Sequence, residues 1–361
     1  MIYLNYAAMC PTHPEIEKEV SATLTELKKF LYSEAGIQWY RAKIQHCRET
    51  VAQFLHVSDP FSIAFVPNAS TANYLLLSSI NWNTGDVIVS TTHENPSIRN
   101  ELVRLKANGV ETEFLSPTSS QQQFLASLES ILNKQTIRAI ILSHVSHVDG
   151  RVFPIDDIAI LAKTYDTLCI VDGAQAVGHI PVNLERLGCD AYFFSGYKWC
   201  EGPLGTGALA INHRFFEMNP LCIAAGSQQN KHGVHRFEIG THNIGLTAGL
   251  AKACERKEEN GLDVSRLSEI REFVKNELVS MGDLSIQEWR DAQAPGILTF
   301  QFRNAHSHEH LTQKLQHSSN LAVKIFSDYP MHESPSIRLS WTTAINEQVM
   351  NTALETIKLC V

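Results

Sequence analysis

The chain has 361 residues and a mass of 40.4 kDa, which predicts two domains, a large one and a smaller one. Its formal net charge of −8 argues against a protein that grips the phosphate backbone of nucleic acid. With 44% hydrophobic residues and no apolar run of about 18 residues, the sequence predicts a sizeable core and argues against a membrane-spanning segment.

The predicted elements begin with two helices, because apolar residues recur at three- and four-residue steps over 15–30 and 42–55. From about residue 61 to residue 210, short β-rich runs alternate with helical patterns. This alternation predicts an α/β fold in which a mostly parallel sheet carries helices on its faces. The strand candidates are 63–66, 87–90, 137–143, 168–171, 191–195 and 207–211.

The pattern changes after residue 240, where two helical stretches over 246–260 and 264–281 precede a mixed run of strands and helices. This change indicates the smaller domain. We expect residues 13–245 to form the large domain, and residues 1–12 together with 246–361 to form the small one.

The cellular compartment is predicted from the N-terminus and the cysteines. The first six residues have no basic flank and no apolar stretch of signal-peptide length, which favours a cytoplasmic location. The eight cysteines are scattered without a C-x-x-C pair. We therefore expect reduced and mostly buried thiols, with neither a disulfide framework nor a zinc site.

An acid and a lysine follow two neighbouring predicted strands. Asp172 comes directly after 168–171, and Lys198 follows 191–195. Ligands of open parallel sheets bind beyond the carboxyl ends of the strands, so these two side chains can meet in one cleft. Pyridoxal phosphate needs such a pair, a carboxylate that keeps its pyridine nitrogen protonated and a lysine that forms an imine. The alternative, an Asp that caps a turn and a surface Lys, fits either residue alone better than it fits the pair.

Longer motifs around these residues resemble one family. Residues 3–11 (YLNYAAMCP) are similar to the Y-L-D-N-A-A-T-T-P start of the fold-type I, class V pyridoxal phosphate enzymes, the superfamily of aminotransferases and cysteine desulfurases. Residues 65–73 resemble the phosphate turn of that family, and 143–150 resemble its S-H-V-S-N-x-x-G strand end. The resemblance covers nearly the whole chain. It implies a large domain with a mostly parallel, seven-stranded sheet and a smaller α+β domain at the C-terminus.

The resemblance also implies which residues hold the phosphate of pyridoxal phosphate. The amides of Ala69 and Ser70 and the hydroxyl of Ser70 would bind it at a helix N-terminus, which favours anions, and Ser195 would bind it from the sheet. Residues 236–243 resemble the R-F-E-x-G-T segment of the family. Its Gly240 and Thr241 would reach the phosphate in the other subunit, so a homodimer is implied.

The ring of the cofactor would be held by four residues. Asp172 would pair with the pyridinium nitrogen, Gln175 would reach the phenolic oxygen, and Lys198 would carry the cofactor as an imine. His147 stands where the family commonly has an Asn that contacts the same oxygen, and a histidine can donate that hydrogen bond as well.

The substrate carboxylate would be bound near the C-terminus. Residues 336–341 resemble the I-R-x-S strand of the family, and Arg338 offers the planar, bidentate fork that carboxylate recognition uses. A structural arginine on an edge strand is the alternative. Ala7 and Ala8 would line the mouth of the active site, with Ala8 as a predicted substrate contact.

The sequence differs from the cysteine desulfurases in the positions of its cysteines. Those enzymes carry a mobile cysteine on a loop shortly before the carboxylate-binding arginine, and this thiolate forms a persulfide. Here the corresponding segment, 326–335, has no cysteine. Cys200 is the nearest alternative thiol, and we expect it to pack under the glycine-rich turn that follows Lys198.

A second departure concerns the residue that stacks on the cofactor ring, which is often a histidine in the family. The matching stretch here places Asn95 over the ring, with His93 or Glu94 as alternatives. Tyr197 also stands where desulfurases usually have a histidine. Both departures fall at positions that influence the reaction type.

The histidines at 306, 308 and 310 alternate with Ser307 and Glu309. Their spacing allows a metal site, but Ser307 ahead of an amphipathic stretch favours a helix N-cap, and we predict no metal.

These observations predict a pyridoxal phosphate enzyme that acts on an amino acid. Class V aminotransferase or cysteine/cystine C–S lyase chemistry without a persulfide cysteine ranks first, and epimerisation or true desulfurase chemistry is the alternative. A catalytically silent family member is the alternative outside enzymes, and the imine lysine argues against it. The substrate side chain is left open, because it depends on loops such as 33–40 and 226–234.

Overall fold

The computed structural model describes residues 1–30, 33–117, 120–219, 233–282, 284–289, 292–303, 313–315, 320–326 and 336–360. The helices are α1 (Pro14–Leu27), α2 (Glu34–Phe54), α3 (Ala69–Ser79), α4 (Pro96–Ala107), α5 (Gln121–Leu132), α6 (Ile155–Thr164), α7 (Leu184–Leu187), α8 (His213–Met218), α9 (Ile244–Asn260), α10 (Val264–Ser280) and α11 (Glu347–Cys360). The strands are β1 (Ile2–Tyr3), β2 (Ile63–Val66), β3 (Val87–Thr91), β4 (Glu111–Leu115), β5 (Ala139–Ser143), β6 (Leu168–Asp172), β7 (Ala191–Ser195), β8 (Gly207–Ile211), β9 (Leu284–Gln287), β10 (Ile297–Phe302), β11 (Leu321–Ala322), β12 (Lys324–Phe326) and β13 (Ser336–Ser340).

A seven-stranded sheet in the order β2-β8-β7-β6-β5-β3-β4 organises the first two thirds of the chain. The five strands from β4 to β7 are parallel, and β8 runs antiparallel to both of its neighbours, β7 and the edge strand β2. The inner strands are buried along their whole length because both faces of the sheet are covered, which explains their continuous apolar runs. The predicted α/β class and mostly parallel sheet are confirmed.

Two local predictions differ from the structure. The edge strand β4 is absent from the predicted strands because its sequence, ETEFL, is mostly exposed and polar and pairs with β3 alone. Helix α2 begins at Glu34 and not at residue 42, since Ser33 caps it by accepting a hydrogen bond from the amide of Gly36. Its first two turns are mostly exposed and lack the regular apolar spacing, so the sequence pattern reveals only the later part.

A four-stranded antiparallel sheet, β12-β13-β10-β9, forms a separate layer from the C-terminal part of the chain. Strand β1 pairs in parallel with β11, so the N-terminus joins this C-terminal part. Helix α9 packs against α1 and α2. The domain boundaries at residues 12 and 245 stay a prediction. None of the helices in the described ranges combines the length and apolar character that a membrane crossing requires.

A buried ion pair joins α2 to the segment that carries Gly240. Arg48 Nη1 lies 2.9 Å from Glu238 Oε1 and also donates to the carbonyl of Ile63. The same Glu238 oxygen accepts the amide of Phe65 at 3.0 Å. Both charges are almost fully buried, so these contacts, together with His235 and His242 at 3.3 and 3.5 Å from the other Glu238 oxygen, replace the interactions that water would otherwise supply.

Replacing Arg48 by Ala therefore leaves a buried carboxylate without its cation. We expect Arg48→Ala to lower the free energy of unfolding by about 3–5 kcal/mol in a urea titration. The matched control is Arg256→Ala, because Arg256 pairs with Glu15, whose side chain is 59% exposed. That variant should lose less than about 1 kcal/mol. Equal losses in the two variants would contradict the prediction.

Candidate active site

Three neighbouring parallel strands bring polar residues to one edge of the sheet. Strands β5, β6 and β7 end at Ser143, Asp172 and Ser195, and Ser143 pairs directly with Asp172 across the ladder. The turn after β7 carries Lys198. Beyond this edge lies a cavity of about 610 Å³, within the range of small-molecule sites.

Ten of the twelve residues that the sequence assigns to cofactor or substrate binding line this cavity. They are Ala8, Ala69, Ser70, Asn95, His147, Asp172, Gln175, Ser195, Lys198 and Arg338. The other two, Gly240 and Thr241, lie outside its lining. Gly240 is exposed with a φ of 72°, and Thr241 lines a different cavity of about 400 Å³ beside Phe65 and Leu246.

Asp172 and Lys198 influence each other's protonation across the cavity. Burial raises the pKa of Asp172, the charge of Lys198 opposes that rise, and the carboxylate accepts the Ala174 amide at 2.8 Å. Burial lowers the pKa of Lys198, and Asp172 opposes that fall. Within the described residues the side chain of Lys198 makes no hydrogen bond or ion pair. A lysine with a lowered pKa is more readily the neutral amine that attacks a carbonyl carbon.

The start of α3 forms the anion-binding end of the cavity. Asn68 caps the helix by accepting the Thr71 amide at 2.8 Å, so the first turn opens toward the cavity at Ala69 and Ser70. The Ala69 amide donates to Ser195 Oγ at 2.9 Å, and its direct contact with a phosphate stays a prediction. The Ser195 hydroxyl still has its proton to donate, and Ser70 is exposed. The positive end of the helix dipole favours an anion at this place.

The ring-binding side of the cavity contains Gln175 and His147. Gln175 donates to the carbonyl of Ala7 at 2.8 Å and accepts from the indole of Trp199 at 2.7 Å. Burial, reinforced by the charges of Arg338 and Lys198, holds the pKa of His147 well below its ordinary value of 6.5. His147 is therefore a neutral side chain near pH 7, able to donate one hydrogen bond.

Of the three residues considered for the ring-stacking position, Asn95 lines the cavity. Its side chain caps α4 by accepting the Ser97 amide at 3.0 Å. His93 and Glu94 are buried outside the cavity lining: His93 Nδ1 lies 3.5 Å from Asp149, and Glu94 points into the sheet edge. The geometry favours Asn95 over the two alternatives, and its stacking on the ring stays a prediction.

Glu94 accepts three hydrogen bonds inside the protein. The donors are Thr91 Oγ1 at 2.5 Å, Ser143 Oγ at 2.7 Å and the Ser143 amide at about 3.1 Å. Burial raises the pKa of Glu94 to about 7, and these donors oppose the rise. The nearby Asp172 raises the pKa of Glu94 further.

Arg338 lies on the opposite wall, on strand β13. Its Nη1 donates to the carbonyl of His147 at 2.5 Å, and its Nη2 donates to Asn5 Oδ1 at 2.9 Å. The guanidinium also lies over the Phe326 ring, 5.5 Å from its centroid. These contacts fix the plane of a buried guanidinium beside the cavity, as carboxylate recognition requires.

Two cationic residues of the cavity lining were not predicted from the sequence. Arg99 lies one turn after Asn95 on α4, and Lys324 lies opposite Arg338 in the register of β12 and β13. The spacing of four residues from Asn95 is a signal that could have identified Arg99. Lys324 had no such signal, because its place depends on a pairing between strands.

The described cysteines lie outside the cavity lining. Cys200 is buried, and its Sγ contacts the carbonyl of Val177 at 3.5 Å, as expected for a thiol packed under the turn after Lys198. Most of the segment without cysteine (327–335), the loop residues 226–232 and the histidines at 306, 308 and 310 lie outside the described residues. No group of side chains placed to bind a metal ion occurs among the residues that are described.

The donor set of the cavity fits pyridoxal phosphate. A buried carboxylate lies on one wall for the pyridine nitrogen, and Lys198 reaches into the same space for the carbonyl carbon. The start of α3 with the hydroxyls of Ser70 and Ser195 suits the phosphate. Gly173, directly after Asp172, keeps this wall tightly packed, because a Cβ there would lie 2.0 Å from the Tyr192 ring.

Comparisons with known proteins agree with this geometry. The sequence model of the family described as aminotransferase class-V matches residues 2–325. A probable cysteine desulfurase of Pyrococcus abyssi is 30% identical over 283 residues, which are 74% of this chain and 69% of that protein. A cysteine desulfurase of Dictyoglomus turgidum is 28% identical over 310 residues, 83% of this chain and 75% of that protein.

A solved structure has the same fold. The cystine C–S lyase C-DES, in complex with its reaction product cysteine persulfide, superposes with a TM-score of 0.84 at 24% identity. The match covers 99% of this chain and 97% of that one.

The raised pKa of Glu94 predicts a pH-dependent stability. The folded state keeps the Glu94 proton up to about pH 7, whereas the ordinary carboxyl pKa is 4.5. The protonated Glu94 therefore stabilises the folded state at low pH, and this stabilisation is lost as the pH rises from about 4.5 to about 7. A shift of this size corresponds to about 3 kcal/mol. Relative to the wild type, Glu94→Gln should gain about that much unfolding free energy between pH 4.5 and pH 8.

Urea titrations at the two pH values measure this gain. The control is Glu113→Gln, which removes an exposed carboxyl from the edge strand β4 and should keep a constant difference from the wild type. A constant difference for Glu94→Gln as well would show that Glu94 is ionised throughout the range.

Proposed function

Since the chain belongs to the aminotransferase class-V family, we propose that it is a C–S lyase that cleaves the carbon–sulfur bond of cysteine or cystine without a protein persulfide. It is a pyridoxal phosphate-dependent enzyme that acts on an amino acid. The observation that carries the proposal is the cavity itself. It combines Lys198, Asp172 and Arg338, and no cysteine occurs in its described lining.

The cofactor, when bound, supplies an electron sink that makes the α-proton of the amino acid acidic. Lys198 Nζ would hold the cofactor, and its free amine would accept the α-proton of the substrate. Asp172 holds the proton on the pyridine nitrogen. The lowered pKa of Lys198 favours the neutral amine that both steps of this residue need.

The remaining residues of the cavity lining bind and orient the substrate. Arg338 grips the substrate carboxylate with the fork that Asn5 and the His147 carbonyl hold in plane. A fixed carboxylate sets which bond of the α-carbon lies perpendicular to the ring, and Ala8 leaves room at the mouth of the cavity. In the overall reaction cysteine and water give pyruvate, ammonia and hydrogen sulfide; cystine and water give pyruvate, ammonia and cysteine persulfide.

We assign Ser70, Ser195 and the start of α3 to the phosphate. We assign Gln175 and His147 to the phenolic oxygen and Asn95 to the ring face. The Ala69 amide supports this set indirectly, because its bond to Ser195 Oγ directs the hydroxyl proton away from the helix backbone.

A true cysteine desulfurase is the second candidate, and the names of the relatives favour it. Such an enzyme needs a thiolate that reaches the substrate sulfur. Cys200 is buried and turned toward Val177, which supports the lyase. Transamination and epimerisation use the same lining; keto-acid-dependent amine transfer identifies the first, and inversion at the α-carbon identifies the second.

We further propose a homodimer in which Gly240 and Thr241 approach the phosphate in the partner subunit. Two features support this assembly. Gly240 is exposed with open space around it, and the preceding Glu238 is anchored by the buried pair with Arg48. A cytoplasmic location fits the six free, buried cysteines of the described residues and stays a proposal.

The assignment of Lys198 predicts a spectroscopic result. The purified enzyme should show the visible absorbance band of lysine-bound pyridoxal phosphate, and Lys198→Ala should abolish that band and lower turnover at least about 100-fold. Lys257→Ala is the matched control, because Lys257 pairs with Glu201 at 2.8 Å outside the cavity lining. Retention in Lys198→Ala of a linkage that borohydride reduces would place the imine on another lysine.

The absence of a persulfide predicts a chemical result. Incubation with cysteine or cystine should release pyruvate, while mass spectrometry after alkylation finds no sulfur added to the protein. Cys200→Ala and the control Cys254→Ala, which removes another buried thiol, should both keep turnover within about twofold of the wild type. A stoichiometric persulfide on Cys200, with turnover lost in its variant, would establish the desulfurase instead.

A further inference from the structure

Behind the cavity wall, three side chains form one connected unit: Gln175, His179 and Trp199. Trp199 directly follows Lys198 in the chain, and Gln175 lines the cavity. All three are buried, with exposures of 5%, 1% and 1% in that order. Their contacts are therefore made without competition from water.

The Trp199 indole determines which end of the Gln175 amide faces the cavity. An indole N–H can only donate, so the group that it contacts at 2.7 Å is the amide oxygen. The amide nitrogen then lies on the other side, where it donates to the Ala7 carbonyl at 2.8 Å. A primary amide has two hydrogens. The second one has no acceptor among the described residues and is available to a ligand in the cavity.

His179 holds the indole in place. The two rings are stacked with centroids 3.6 Å apart and planes 10° apart. His179 Nε2 accepts a hydrogen bond from the Gly296 amide at 2.8 Å, so the ring proton is on Nδ1. This Nδ1 donates to the main-chain carbonyl of Gln175 at 3.0 Å. Burial lowers the pKa of His179 to about 3, which keeps this neutral form over the working pH range.

The space around the indole is closed on the other side as well. A Cβ on Gly296 would lie 2.8 Å from Trp199 Cη2, so the main chain at Gly296 lies directly against the indole ring. The indole cannot swing away from Gln175 without displacing main chain.

We propose that Trp199 is a positioning residue that holds the Gln175 amide as a hydrogen-bond donor toward the cavity and thereby sets the proton affinity of the link between Lys198 and the cofactor. This inference rests on the proposed assignment of Gln175 to the phenolic oxygen. A donor to that oxygen stabilises its negative charge and so favours the unprotonated link. Without Trp199 the amide can turn, and its oxygen would repel the same charge.

The pH titration of the visible absorbance of the holoenzyme measures this proton affinity. Gln175→Leu removes the hydrogen-bond donor, and the midpoint of the pH titration should rise by about one pH unit in this variant. Trp199→Phe keeps a ring that stacks on His179 but removes the indole N–H, so its midpoint should also rise. The double variant should rise no further than Gln175→Leu alone, because both changes remove the same interaction.

The other charged or titratable groups that line the cavity are unchanged in these variants, so a shift reports the amide. These groups are Arg99, His147, Asp172, Tyr197, Lys324 and Arg338. Trp289→Phe is the control for the loss of a buried indole, since Trp289 packs against Phe124 and Phe153 outside the cavity lining. Its midpoint should equal that of the wild type.

The outcomes separate this inference from the proposed function. An unchanged midpoint in Gln175→Leu would overturn the assignment of Gln175. A raised midpoint in Gln175→Leu together with an unchanged one in Trp199→Phe would overturn the role of Trp199 alone. Trp199→Met removes the same donor with a flexible side chain and should give the same rise. It replaces Trp199→Phe where thermal unfolding shows that the Phe variant does not fold.

Discussion

The site depends on keeping a carboxylate and an amine beside one cavity. Burial disfavours the charged form of both groups, because it raises the pKa of Asp172 and lowers that of Lys198. Their mutual attraction opposes this effect, so the two residues form one electrostatic unit. Their separation beyond ion-pair distance leaves space between them, which a bound aromatic cofactor would occupy.

The two ends of the chain complete this unit. Asn5 and Ala7 lie beside strand β13, where the Ala7 amide donates to Ser340 Oγ at 2.9 Å. Gln175 then bonds the Ala7 carbonyl, and Arg338 bonds Asn5. The wall that we propose for the substrate is thus connected by hydrogen bonds to the wall that we propose for the cofactor. A displacement of the C-terminal sheet would alter both walls together.

Membership in the class-V family accounts for the cofactor, whereas the reaction type depends on a few positions around the ring. Asn95 and the neutral His147 stand at two positions where the resemblance predicts contacts with the cofactor ring. Arg99 and Lys324 add positive charge to the same cavity. These four residues line the same cavity as Lys198 and Asp172.

The sequence by itself determined what depends on short-range order. Buried parallel strands read as continuous apolar runs, so five of the seven strands of the large sheet could be placed within a residue at each end, and Asp172 and Lys198 could be assigned to their carboxyl ends. The tertiary structure alone decided what depends on contacts between distant residues. It placed the polar edge strand β4, directed Glu94 into the sheet edge, set Lys324 opposite Arg338 and engaged the Ala69 amide with Ser195. It also joined Gln175 to Trp199. The physical reason is that the spacing of apolar residues along a segment reports which face of a helix or strand is buried. The partner of a buried polar atom is instead set by the element that packs against it.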